Sequence, residues 1–201
     1  MQSNADDPVC TFAVRDDHDY RPVADLWHGA TVLIKDAKAN PAGSYYKRMG
    51  AILLLAATVE GFGQTLGPEL FPGDWIEGRE YERLGPYEKL KKIARKAHVS
   101  VATDRDPWKS VRAIIKARND FAHPKPASKT IERFVTCRQS EVDDATRVGM
   151  EDHFPILSEA ETDRVAQCVK DALEMIWRGL GRYPLLLFMH GGSVGSVRRV
   201  A

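Results

Sequence analysis

The sequence predicts an all-α protein, a bundle of four or five helices with a loop excursion before the last long helix. Three observations carry this. Apolar residues recur at helical spacing along most of the chain. Met49–Val59 is apolar nearly all round, as the enclosed central helix of a bundle must be. Proline, glycine and short polar residues punctuate the chain at helix-length intervals, and a strand-like pattern is confined to Thr130–Cys137. At 201 residues the chain fits one domain and buries enough surface to fold without disulfide or metal staples.

Each element follows from local signals. Residues 1–18 read as a loose leader. Pro22 suits the first turn of a helix over Val23–Ala39, in which Leu26, Trp27, Ala30, Leu33, Ile34 and Ala37 form a stripe. Asn40-Pro41-Ala42-Gly43 ends it, and Ser44 is expected to cap a second helix over Tyr45–Leu66. Gly67–Gly85 carries Gly67-Pro68, Pro72-Gly73 and Gly85-Pro86 and is expected to be a loop with one short helical turn. Pro86 opens a lysine-rich third helix over Tyr87–Ala97. Asp106-Pro107 reads as cap and first turn of a fourth helix, Trp108–Ala122, stopped by Pro124 and Pro126. Ser158-Glu-Ala-Glu161 matches a capping box and opens a last helix, Glu159–Leu180, with Gly179 and Gly181 at its end. The expected organisation is therefore a leader at 1–18, one helical domain at 19–182 and a flexible tail at 183–201.

Composition excludes several classes. Hydrophobic residues are 43% and charged residues 28%, the usage of a globular domain rather than a disordered or fibrous chain. Cys10, Cys137 and Cys168 are odd in number, far apart and without a Cys-x-x-Cys pair, which points to a reducing compartment. The runs Ile52–Val59 and Leu185–Met189 fall short of the roughly 20 residues that span a bilayer, and Met1–Asp7 is too polar for a signal peptide. A cytoplasmic protein with no membrane partner is expected.

The net charge of +1 hides strong segregation. Tyr87–Arg138 holds 14 Lys and Arg against 5 Asp and Glu, whereas Gln139–Met175 holds 3 against 10. The basic block is the segment suited to a polyanion such as RNA. It contains Lys116-Ala-Arg-Asn-Asp-Phe-Ala-His-Pro-Lys125. Arg118 falls on the stripe of Trp108, Val111, Ile115 and Ala122, where an unpaired guanidinium would be costly. It must pair with a carboxylate or line an anion-binding groove. In an unbroken helix His123 would point about 140° away from Arg118. Pro124 pushes the residue before it out of the α region, so the helix is expected to end near Ala122 and His123 to swing back beside Arg118. An imidazole beside a fixed guanidinium suits RNA cleavage. The ring moves a proton at the 2′-hydroxyl or the leaving 5′-oxygen, and the guanidinium stabilises charge growing on the phosphate. Arg147 and His153 have a similar spacing, but no polar residue follows Arg147 and the pair lies in the acidic block.

Arg118, Asn119 and His123, in the form Arg-Asn-Asp-Phe-Ala-His, resemble the motif of the HEPN family. The expected bundle and the apolar run Ala51–Glu60 resemble that family as well, over residues 23–126 with the last helix completing the bundle. The resemblance implies a metal-independent endoribonuclease that leaves 2′,3′-cyclic phosphate and 5′-hydroxyl ends. It implies a homodimer with two motifs facing across the two-fold axis, and a role as a toxin or phage-defence effector with an antitoxin or other neutralising partner. His123 would be the general acid/base, Arg118 the stabiliser of the phosphorane and Asn119 the residue that positions the phosphate or the histidine. Glu60 would support Arg118. Lys116, Lys125 and Lys129 would bind flanking phosphates. No metal or other cofactor is expected. The alternative is a non-catalytic HEPN-like module for dimerisation or for binding RNA or nucleotides.

Trp108 is expected in the core, and His28 and His98 are expected to be structural or exposed. Gly191–Gly195 lacks the Lys-Ser/Thr of a phosphate loop.

Overall fold

The structure, a computed structural model, describes residues 12–18, 22–75, 80–123, 136, 138, 154–183, 187–189 and 193–199. The fold is an all-α bundle. Among the described residues there are five helices of more than one turn and a single-turn helix. They are α1 (Pro22–Ala39), α2 (Ser44–Leu70), the short α3 (Glu80–Arg83), α4 (Pro86–Lys96), α5 (Trp108–Ala122) and α6 (Glu159–Gly179). A 3-10 turn, Pro155–Leu157, leads into α6. Thr130–Cys137, expected as a strand or excursion, lies almost wholly outside the described residues.

The apolar second helix is the centre of the bundle, and α1, α4, α5 and α6 all pack on it. α1 runs antiparallel to α2, because Gly29 meets Leu54, Leu33 meets Gly50 and Val23 meets Gly61. α6 runs the same way as α2. Arg48 of α2 donates to the Leu157 carbonyl just before α6, Phe62 lies 6.3 Å from Trp177 between ring centroids, and Glu69 takes Arg182 just after α6. Ile52, Leu55, Val59, Phe62 and Leu66 of α2 are buried against Leu90, Ile93, Trp108, Ile114, Val169, Leu173 and Ile176. Burying side chains of this size contributes roughly 1.5–3 kcal/mol each. By length and composition α2 could also cross a membrane, but half of its apolar window (50%) is buried in the bundle.

Three local expectations are corrected. Ser44 does not cap α2. Gly43 occupies the cap position at φ 70°, where a residue without Cβ is unstrained, and Ser44 is the first helical residue. α2 does not stop at Leu66 but continues through Gly67-Pro68 to Leu70. Pro68 removes one N–H, yet Phe71 N–H still bonds the Gly67 carbonyl at 2.9 Å, and Leu70 and Phe71 pack on the core. Pro107, not Asp106, holds the cap position of α5. The Asp106 carboxylate instead accepts the Ser110 hydroxyl at 2.6 Å and an Arg164 hydrogen bond from α6. The α6 start is as expected, with the Ser158 hydroxyl accepting from Glu161 N–H at 3.4 Å.

The leader and tail differ from their loose reading. Phe12–His18 (β1) and Ser193–Arg199 (β2) form a two-stranded antiparallel ribbon, with Phe12 opposite Arg199 and His18 opposite Ser193.

Candidate active site

α5 spans Trp108–Ala122, the bounds the sequence predicts. Its inner face buries Trp108, Val111, Ile114, Ile115 and Ala117, so Trp108 is core. Phe121 packs edge-on against Phe154 at 5.5 Å between centroids, which ties the last turn of α5 to the segment entering α6. The orientation of the C-terminal turn, and hence of Arg118, is set by these contacts.

Arg118 sits at the margin of the buried face, 40% exposed at its side chain, and Glu60 of α2 beside it is 39% exposed. The Arg118 Nη2 group donates to Glu60 Oε2 at 3.1 Å, and Nη1 donates to Asn119 Oδ1 at 3.0 Å. The expected partner carboxylate is therefore in contact, but at the edge of the core rather than within it. An ion pair this exposed contributes at most about 1 kcal/mol. Its effect is geometric, since two acceptors fix the plane of the guanidinium. Among the described residues Nε–H and the second hydrogens of Nη1 and Nη2 have no other acceptor and can meet an anion, as can the amide hydrogens of Asn119.

His123 is the first residue past α5, at φ −129° and ψ 64°, and its N–H bonds the Asn119 carbonyl at 2.9 Å. The helix ends where the following proline requires. The His123 side chain is exposed and shares no hydrogen bond with Arg118 or with any other described residue. The helix end and the Arg118–Glu60–Asn119 triangle thus lie within one turn of each other, while the imidazole itself is not hydrogen-bonded in.

The lysines divide. Lys116 is exposed but bonded to Asp120 at 2.6 Å one turn along, so it is engaged within its own helix. Lys125 and Lys129 lie outside the described residues, as do Arg147 and His153. His28 is structural, its Nε2 lying 2.9 Å from the Phe188 carbonyl oxygen. His98 is exposed. Cys168 is buried and reduced, and burial pushes its thiol up, away from reactivity. Among the described residues no three His, Cys, Asp or Glu side chains gather in a way that would hold a metal ion.

Sequence reasoning missed the strongest polar cluster. Arg164 of α6 bonds Asp106, Ser110 (3.0 Å) and Glu161 (2.7 Å). The Ser110 hydroxyl, and then Arg164, hold the Asp106 carboxyl below the usual carboxylate range, and Arg164 does the same for Glu161. Arg164 is itself held more firmly protonated by Glu161 and Asp106. The cluster joins the start of α5 to α6 and is structural. The spacing of Glu161 and Arg164 was a readable helical pair; the link to Asp106 was not, because it crosses 58 residues.

No family model, no curated protein and no solved structure matches the chain.

Proposed function

We propose that this protein is a HEPN-like endoribonuclease that cuts RNA without a metal ion, as a cytoplasmic homodimer with a toxin or defence role. One observation carries the reading: Glu60, at the end of the apolar α2 run, holds Arg118 beside Asn119 one turn before the helix end at His123. In the proposed reaction His123 takes the proton of a 2′-hydroxyl, or gives one to the departing 5′-oxygen. The 2′-oxygen attacks the adjacent phosphorus held on the 3′-oxygen, the bond from phosphorus to the 5′-oxygen breaks, the leaving 5′-oxygen takes up a proton, and a 2′,3′-cyclic phosphate forms. Arg118 meets the charge growing on the phosphate through the N–H groups that Glu60 and Asn119 leave open. Asn119 turns its amide hydrogens to the same phosphate.

A second reading, a non-catalytic module that binds RNA or nucleotides, is favoured by the absence of a hydrogen bond orienting the His123 ring among the described residues. The two are separated by incubating the protein, His123→Ala and Arg118→Ala with total RNA and transfer RNA in excess EDTA. Cleavage by the parent alone, with cyclic phosphate ends, is the expected result. Intact RNA in all three samples, from folded protein that still binds RNA, would select the second reading.

A further inference from the structure

α4 carries two rows of cations. Lys91 and Arg95 lie one turn apart and continue to His98, and Lys92 and Lys96 form the adjacent row. Two clefts flank these rows. One, about 540 Å³, is lined by Lys91, Arg95, His98, Val99, Ser100 and Thr103, with Val101. The other, about 330 Å³, is lined by Phe71, Tyr81, Lys92, Arg95, Lys96 and His98. Arg95 and His98 border both, so the two clefts adjoin as a two-part trough divided by these side chains.

The charges in the trough are unequally engaged. Lys91 bonds Glu88 at 2.7 Å, and Lys92 reaches Glu80 only at 4.0 Å. Arg95, Lys96 and His98 are exposed and have no acidic partner among the described residues. One or two cations in a last turn would answer the negative end of the helix dipole. Four cations in two rows, with Arg95 and Lys96 lacking a counter-charge among the described residues, exceed that need, and His98 adds an exposed imidazole beside them. His98 is also held at φ 57°, a left-handed conformation that a side chain with Cβ adopts at a cost. It turns the chain just before Val99, Ser100, Val101 and Thr103, which line the larger cleft.

The second cleft adds aromatic surface. Phe71 and Tyr81 line it with centroids 4.9 Å apart, and the Lys92 ammonium lies 4.9 Å from the Tyr81 ring centroid. Open clefts with cations along one wall and aromatic rings on another match the chemistry of a nucleic-acid strand, phosphates on the first and bases on the second. The trough sits at the C-terminal end of α2, about 16 Å along that helix from Glu60 at 1.5 Å per residue. It is therefore separate from the Arg118 site.

We propose that this trough is a binding groove for single-stranded RNA, remote from the cutting centre. The inference takes its ligand class from the function proposed above but does not depend on turnover. The test uses a fluorescent 2′-O-methyl oligoribonucleotide, which has no free 2′-hydroxyl and cannot be cut, titrated with the whole protein over a range of salt. Arg95→Gln/Lys96→Gln is expected to weaken binding about tenfold and to reduce the salt slope by about 1.4, roughly 0.7 for each cation on a single strand. Lys35→Gln/Lys170→Gln removes the same charge elsewhere and is expected to bind as the parent does. Unlabelled oligonucleotide is expected to displace the probe better than inorganic polyphosphate of equal length. The groove is overturned if both double variants weaken binding equally, if the trough variant binds like the parent, or if polyphosphate competes as well as RNA. Loss of cleavage with trough-dependent binding intact would sink the nuclease reading and leave the groove standing.

Discussion

Gly179 sits where the end of α6 crosses the end of α4. A Cβ there would lie 2.3 Å from the Ala97 carbonyl oxygen and 3.0 Å from a Val99 methyl, and the first contact is with backbone that cannot rotate aside. Gly179→Ala is therefore expected to destabilise the protein by about 1–3 kcal/mol, read as a lower urea midpoint with an unchanged slope. Glu60 is the opposite case. Its exposure makes the pair with Arg118 a small contributor to stability, so Glu60→Gln should leave the thermal midpoint nearly unchanged. If Glu60 fixes the guanidinium plane for phosphate, the same substitution should lower the rate of RNA cleavage about tenfold or more, measured beside Arg118→Ala. A large loss of stability with full activity would refute that role. These two residues also mark what could be read in advance. Glu60 was named as a partner only through the family resemblance, since an apolar run ending in a carboxylate equally suits a helix-end group facing water. Gly179 was legible only as a helix end, since its close neighbour is 82 residues away in the chain. The pair of Lys116 with Asp120 was legible, because its partner stands at the readable helical spacing of four.

The elements show the same division between local and distant causes. α5 and the start of α6 agree with their proline, serine and glutamate signals, because those signals act on backbone within one turn. α2 overran its glycine-proline stop, because Leu66, Leu70 and Phe71 are apolar and their burial outweighs one lost hydrogen bond. The β1–β2 ribbon pairs segments from opposite ends of the chain, and no local pattern encodes such a register. The Asp106–Arg164–Glu161 cluster, which joins α5 to α6, yields a pH prediction. Both carboxyls titrate below their usual values in the folded state. They then add stability that is present above their unfolded values, near pH 4, and is lost as pH falls through the lower folded values. Arg164→Gln should remove part of that stability at pH 7 and flatten its decline below about pH 4. Thermal midpoints of the parent and the variant from pH 7 to pH 3 check this, and parallel curves would show that the cluster is not linked to folding.

At the scale of the whole molecule the segregated charge acquires a location. The basic block of the sequence divides between the exposed side of α5 and the trough beside α4. The trough was not legible, because its walls come from the end of α2, from α3, from α4 and from the segment after it. One Arg118 and one His123 per chain also leave a question of stoichiometry that the proposed homodimer would answer. Cleavage of RNA needs a base at the 2′-hydroxyl and an acid at the leaving oxygen, and a single imidazole would serve both only in turn. Two chains of 22.5 kDa facing across a two-fold axis would supply one histidine for each task. Light scattering should then give twice the chain mass. Mixing parent with inactive His123→Ala subunits, after allowing exchange, should lower the activity as the square of the parent fraction. If each chain carried a complete site, the fall would instead be linear. A linear fall from a stable dimer would keep the nuclease and remove the shared site. A monomer that cleaves at full rate would place both proton transfers on one His123.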